Sequence, residues 1–359
     1  MDFEKILNLG VEKNIINETQ RNGLIDLYYQ NNNEPKQVST VVKVLYYIGG
    51  FIMLGAMTAL MSDTIQHSTY VMILMLGTIY AVLFLGVGEF LWRKNEKLPA
   101  GILYFLFIAA VGFIVMDIEK MTGFFPHFSD MDKLPNYWDL CRCPVIVLSA
   151  LTIIANTILQ KFRPASLLAV PTIFCSYAIF MTIVDFIYGY KNITPKIFFT
   201  SNMIFGAGLS IIGFIKDRLT KADYSMWMYL VGAAGFFMYA MFLLDALNIG
   251  VWQTQLVCFI LSLIYIFIGL MIQRKPFSII GIFGVIEYIM YLEFENIEHN
   301  TTLLTSVVLV TGLIILYAGV IYSKNVDKLR SFIESKLPRK AKNYLPQNRE
   351  IVNDTYRMN

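Results

Sequence analysis

The stretch IYIFIGLMIQRKP, Ile264 to Pro276, decides how the rest of the chain is read. Bulky apolar residues run without alternation, one glycine (Gly269) interrupts them, and five positions later the run stops at Arg274 and Lys275. An unalternating apolar run of this kind must be buried in protein or in lipid, and cations at its end mark the return to water. The same cadence recurs along the chain, so its environment is a property of the whole molecule.

The chain has 359 residues, of which 56% are hydrophobic and 15% charged. Ordinary soluble domains carry about 25% charged residues. A bilayer core needs roughly 20 mostly apolar residues per helix. Ten stretches qualify: Val41–Ser62, Tyr70–Trp92, Ala100–Met116, Pro144–Leu159, Leu167–Ile187, Ile197–Phe214, Met226–Leu247, Leu256–Ile272, Phe277–Tyr291 and Leu303–Tyr322. The fourth and ninth are short and need extension or tilt. A transmembrane barrel would alternate apolar and polar residues over about ten positions, and these runs do not. The sequence predicts an all-α integral membrane protein with about ten transmembrane helices. The first forty residues are polar and mixed in charge, with no basic segment leading into a cleavable apolar one, so the first apolar run is expected to be retained.

The even-numbered runs end alike. Gly88 precedes Arg93, Gly213 precedes Arg218, Gly269 precedes Arg274 and Gly319 precedes Lys324, each by five positions; the fourth run has Asn156 and Lys161 in those places. Small residues let helix backbones approach closely in lipid, so each glycine is expected to be a packing notch. The loops after the second, fourth, sixth and eighth runs hold Arg93, Lys94, Lys97, Lys161, Arg163, Lys216, Arg218, Lys221, Arg274 and Lys275. The five opposite loops are longer in total yet hold only Lys120, Lys133, Arg142, Lys191 and Lys196, and the odd runs end near Asp63, Asp117, Asp185, Asp245 and Glu293. Basic loops stay in the cytoplasm. The expectation is five hairpins, both termini cytoplasmic, with an acid at each outer end and a cation at each inner return. Internal duplication would produce that rhythm, and so would topology alone, because topology selects for charge.

Three regions follow: a cytoplasmic helical prefix at 1–39, a helical bundle at 40–322 and a cytoplasmic basic tail at 323–359. In the prefix, Phe3, Ile6 and Leu7 predict a short helix broken near Gly10, and Asn17 ahead of Glu18, Thr19 and Gln20 predicts a capped second helix. The prefix is either a helical pair packed on the bundle or a docking module for a cytoplasmic protein partner. In the tail, Val326, Leu329, Ile333 and Leu337 form an apolar stripe beside Lys328, Arg330, Lys336, Arg339 and Lys340. That pattern fits contact with anionic lipid headgroups. It lacks the interleaved aromatics and the fold of a nucleic-acid binder.

Candidate chemistry is sparse. Glu287 sits within the ninth apolar run, where a charge costs about 2.5–3.5 kcal/mol on insertion scales. Gly281 and Gly284 on the same run argue for a place inside the bundle, with Glu287 facing a cavity or a neighbour. It is either an ion, proton or substrate site or a carboxyl serving as interhelical glue. Asp185, Asp245 and Asn156 join it as candidates for such a site. Glu89 precedes Arg93 by four residues and is expected to pair with it near the interface. Asn156, Ser201 and Asn202 are expected to hydrogen-bond across helices, and Pro171 to kink the fifth helix. The outer loop Ile118–Arg142 holds His127, Asp130, Asp132, Asp139, Cys141 and Cys143, in no zinc-ligand spacing. No phosphate loop, zinc-protease helix, nucleophile elbow or dinucleotide fingerprint is present, so neither an enzymatic activity nor a cofactor is expected.

Four segments, KVLYYIGGFIMLGAM (43–57), ADYSMWMYLVGAAGFF (222–237), FSIIGIFGVIEYIMYLEFE (277–295) and LYAGVIYSKNVDKLRSFIESKLP (316–338), carry a resemblance. The chain resembles the uncharacterised bacterial membrane-protein family grouped as domain of unknown function 2157. It departs from that pattern after the first helix, where MSDTIQHS stands in place of a tryptophan-containing signal. The resemblance implies a bacterial inner membrane and carries no activity or catalytic residue. Two function classes follow from the sequence as a whole: a small-solute or ion transporter resembling a permease, or a non-transporting envelope scaffold or sensor subunit acting through partners.

Overall fold

The computed structural model of the chain describes residues 3–13, 15–31, 40–67, 70–126, 134, 136–219, 223–272 and 274–296, with isolated positions at 306, 309, 310, 313 and 317. The tenth run and the whole tail, with Lys328, Arg330, Lys336, Arg339 and Lys340, lie outside this part, apart from those isolated positions. Among the described residues every regular element is helical: α1 (Phe3–Glu12), α2 (Glu18–Asn31), α3 (Thr40–His67), α4 (Tyr70–Arg93), α5 (Lys97–Met121), α6 (Tyr137–Phe162), α7 (Ala169–Tyr188), α8 (Pro195–Leu219), α9 (Ser225–Ala246), α10 (Val251–Ile272) and α11 (Lys275–Asn296). Short 3-10 turns, Ser166–Leu168 and Tyr190–Asn192, flank α7.

Eight helices, α4 to α11, are long and apolar enough to cross a membrane, and α3 contains a shorter apolar segment, Val44–Ala59. The apolar residues on their outer faces, such as Phe51, Val82, Phe174 and Phe283, are exposed in the absence of lipid. A soluble protein would bury them; a bilayer solvates them. The chain is therefore a multi-pass helical membrane protein.

The prefix forms as its capping residues dictate. The Gln20 N–H donates to Asn17 Oδ1 at 2.7 Å while the Asn17 N–H donates to Gln20 Oε1 at 3.0 Å, a reciprocal capping box that starts α2. Gly10 does not break α1, which continues to Glu12; its carbonyl accepts from the Ile15 and Ile16 N–H groups just past the helix end. The two helices pack on each other.

Within the bundle the close pairs are α4 with α5, α6 with α7, α8 with α9 and α10 with α11. These pairs close on the basic turns. The grouping read from the sequence, α5 with α6 and α9 with α10, makes looser contacts, because the notches face the following helix. A Cβ on Gly88 would meet the Tyr104 ring at 3.0 Å, one on Gly213 would meet Met228 Cβ at 3.1 Å, and one on Gly269 would meet the Ser278 backbone nitrogen at 2.7 Å. Each glycine thus lies against the next helix of its pair. Gly206 of α8 and Gly232 of α9 extend the principle, each so near the other's carbonyl that a side chain on either would strike backbone.

α5 is the central helix of its half. Tyr104, Leu106, Ile108 and Ala110 are fully buried on it. Its first half packs against Ala155 and Leu159 of α6, and Phe125, beyond its end, packs with Tyr137 and Cys141 at the start of α6, so the two helices are antiparallel. The proline expectation needs revising. α6 starts seven residues before Pro144, which is therefore the proline inside a helix, whereas Pro171 falls in the first turn of α7. A first-turn N–H has no intrahelical partner, so Pro171 removes nothing there and imposes no kink.

Candidate functional sites

Two charge clusters occupy the basic ends of the helices. Glu89 lies in the last turn of α4, one residue after the Gly88 notch. Arg163, just past α6, gives it a fork: Nη2 donates to Oε1 at 2.7 Å and Nε to Oε2 at 2.8 Å. The Tyr104 hydroxyl of α5 donates to Oε2 at 3.1 Å, and Arg93 Nε donates to Oε1 at 3.0 Å. The local pair with Arg93 exists as expected, but Arg93 is largely exposed and the planar fork comes from Arg163. Donating hydrogen bonds to the Glu89 carboxylate holds the Arg163 guanidinium above its ordinary pKa. Trp92 completes the corner: Lys97 Nζ lies 4.2 Å from its ring centre and the Arg163 guanidinium carbon 5.8 Å.

The second cluster centres on Asp217 in the last turns of α8, whose side chain is 1% exposed. Arg274, between α10 and α11, bonds it through both Nη2 and Nε, the latter at 2.9 Å, and reaches Asp223 at 3.3 Å. Ser225 Oγ lies 3.1 Å from oxygens of both Asp217 and Asp223, and the Tyr229 hydroxyl of α9 donates to Asp217 Oδ2 at 3.5 Å. Here too a carboxylate that would be costly alone is surrounded by donors.

At the acidic end, Arg142 of α6 donates from Nε to Asp185 Oδ2 of α7 at 2.7 Å and from Nη2 to the Asp185 carbonyl at 3.1 Å. Asp139, one turn back, pairs with the same guanidinium at 2.7 Å. Trp138 stacks on Tyr190 beside this pair, with ring centres 5.2 Å apart.

Between these ends lies a buried polar face of α6 formed by Ser149, Thr152 and Asn156. Asn156 occupies the slot that is glycine in the other pairs. Its Nδ2 donates to the Leu168 carbonyl and to Thr172 Oγ1, both at 2.7 Å, which ties α6 to α7. Its Oδ1 is buried without a hydrogen-bond partner. Thr152 faces Gly112 of α5, and Ser149 lies one turn nearer the end that carries Asp117. Asp117 is 1% exposed, and neither carboxylate oxygen has a hydrogen-bond partner among the described residues; Lys120, one turn on, supplies a nearby positive charge. Glu119 is also buried, with neither oxygen bonded among the described residues.

The four residues nominated for a site, Glu287, Asp185, Asp245 and Asn156, fall on four different helices with separate surroundings. Asn156 is interior. Asp185 is half of an ion pair. Asp245 is exposed at the end of α9. Glu287 is exposed on α11, its Oε2 3.7 Å from Cys258 Sγ, while Gly281 and Gly284 on the same helix pack against Ser262 of α10. Asn202 donates to the Phe198 carbonyl of its own helix at 2.8 Å and reaches across to Met181 Sδ of α7 at 4.0 Å, and Ser201 is buried beside it. Cys141 is buried, Cys143 exposed and both are free; His127, Asp130 and Asp132 lie outside the described residues. Among the described residues no group of three His, Cys, Asp or Glu side chains is placed to hold a metal ion.

Sequence reasoning counted Arg142, Arg163 and Arg274 as topology markers and passed over Asp217, Tyr104 and Tyr229. A signal was available. Glu89 and Asp217 are acids at the end of the bundle where cations collect, and an acid in that place needs a partner. No protein-family model, curated protein or solved structure matches the chain.

Proposed function

We propose that this chain is a bacterial inner-membrane protein with both termini in the cytoplasm that moves a proton or small cation, in the manner of a permease, along the polar face between α5 and α6. Asp117 carries the reading: a carboxyl buried near the end of an apolar span, with neither oxygen hydrogen-bonded among the described residues. Ionisable residues within membrane spans are rare, and they mark ion and proton pathways. Asn156, with an unbonded buried oxygen on the same face, is the second polar station. Glu287 and Asp245, exposed on α11 and α9, stand apart from this face and are not stations of the path; the basic tail belongs to the proposal as a lipid-headgroup contact. Kinship with the domain of unknown function 2157 is part of the same proposal and contributes no activity to it.

The chain reconstituted in liposomes loaded with a pH-sensitive dye or, in parallel, a sodium-sensitive dye tests the reading. A potassium diffusion potential set by valinomycin supplies the driving force. The expected result is proton or sodium flux well above that of empty vesicles, lost in Asp117→Asn and reduced in Asn156→Leu, with Glu287→Gln as the comparison. Flux no faster than in empty vesicles overturns it.

A second reading, a non-transporting envelope scaffold or sensor subunit, is favoured by a different observation. Glu89, Asp185 and Asp217 are all taken up in ion pairs that join helices. On that reading the paired prefix helices bind a cytoplasmic protein, and deletion of 1–39 removes a co-purifying partner while leaving the bundle folded.

A further inference from the structure

We infer that α4–α7 and α8–α11 are two copies of one four-helix unit running in the same direction, and that the carboxylate–arginine–tyrosine cluster of each copy is a latch closing its basic end.

The packing supports the equivalence first. In each unit the first helix carries a glycine near its end (Gly88, Gly213), and a tyrosine sixteen positions later on the second helix (Tyr104, Tyr229) lies against it. The residue before that tyrosine, Leu103 or Met228, closes the other side of the notch. The third helix presents Asn156 or Gly269 to the fourth, at Thr172 or Ser278. First packs closely on second and third on fourth, while second also touches third and fourth. Four passes separate α4 from α8, so equivalent ends lie on the same side of the bundle.

The bonds support it independently. A carboxylate in the closing turns of the first helix receives two N–H bonds from one arginine beyond the third helix, and a hydroxyl from the notch tyrosine of the second. Residue positions drift while the bonding pattern persists. Glu89 follows its glycine by one residue and the shorter Asp217 follows its own by four, one helical turn further on. The arginine is the charged fastening between the two halves of each unit at the basic end, reaching from the second helix pair to the first beside the apolar contacts of the second helix with the third and fourth. Loss of that bond frees the pairs to part at the basic end while their glycine contacts hold each pair together.

Thiol protection in the purified full-length chain, with its four native cysteines replaced, tests the proposal. Reporters are Ala165→Cys beside the first latch and Phe277→Cys beside the second, both buried; Ser149→Cys, deep in the bundle, reports general unfolding. Glu89→Gln is expected to raise maleimide labelling of the first reporter by about tenfold, and Asp217→Asn to do the same for the second, as loss of a charge-assisted fork implies. The Ser149→Cys signal stays low in both. Tyr104→Phe and Tyr229→Phe, which remove only a hydroxyl, should give smaller and mutually similar rises. Unchanged labelling in either unit, or a parallel rise at Ser149→Cys, overturns the latch; a response to Tyr104→Phe without one to Tyr229→Phe overturns the equivalence.

Discussion

Arg163 holds both oxygens of Glu89 across 74 positions of sequence, whereas Arg93, four positions from the same carboxylate, touches one. The two arginines should therefore differ in worth. Arg93 is mostly exposed, and Arg93→Ala should cost at most about 1 kcal/mol. Arg163→Ala leaves Glu89 without its fork and should cost clearly more. Thermal unfolding of the two variants in one detergent gives the order directly, and equal midpoints would remove the special role of Arg163.

The Asp217 cluster is more deeply buried. Arg274→Ala strands a carboxylate whose side chain is 1% exposed, and breaking such a pair from one side costs about 3–5 kcal/mol. Arg274→Lys keeps the charge but not the planar fork and should recover only part of the loss. Denaturant unfolding that finds lysine equivalent to arginine would show that charge alone matters there.

The glycine notches predict a contrast within one helix type. Gly269→Ala puts a methyl group against the Ser278 backbone and should destabilise the α10–α11 pair, whereas at Gly86 nothing lies within 4 Å of an added Cβ. Gly86→Ala should be neutral or stabilise by up to about 1 kcal/mol through helix propensity. Matched melting curves decide it; a neutral Gly269→Ala would mean that the pair has room to move apart.

Orientation can be read at two exposed turn positions. Lys94→Cys, between α4 and α5, should be shielded from a membrane-impermeant thiol reagent in intact bacterial cells and react once the membrane is opened. Lys191→Cys, between α7 and α8, should react in intact cells. The reverse pattern would invert the proposed topology.

What the sequence made legible follows the range of the forces involved. Apolar length is written residue by residue, since each spanning helix must satisfy lipid on its own, and α4 to α11 stand where the runs predicted them. The notch glycines were legible because close approach demands a missing Cβ, and Asn156 was visible as the exception in their series. Partner choice was not legible. Arg93 lies one turn from Glu89, so local spacing nominated it, while Arg163 becomes a neighbour only after α6 packs beside α5. Glu287 was legible in part: its depth along the run is written in the sequence, but its place beside Cys258 on the exposed side of α11 is set by Gly281 and Gly284 locking α11 onto Ser262.

The turns themselves carry a last implication. Three residues, Lys94 to Glu96, join α4 to α5, and Asn95 takes a left-handed φ of 66° to make the reversal; two residues join α10 to α11. Connections this short leave no slack for one helix to settle in the bilayer while its mate waits outside. During synthesis each such pair is expected to enter the membrane as a unit, and on the proposed topology its cationic elbow stays on the ribosome's side, so the length of the elbows bears on the order of biogenesis.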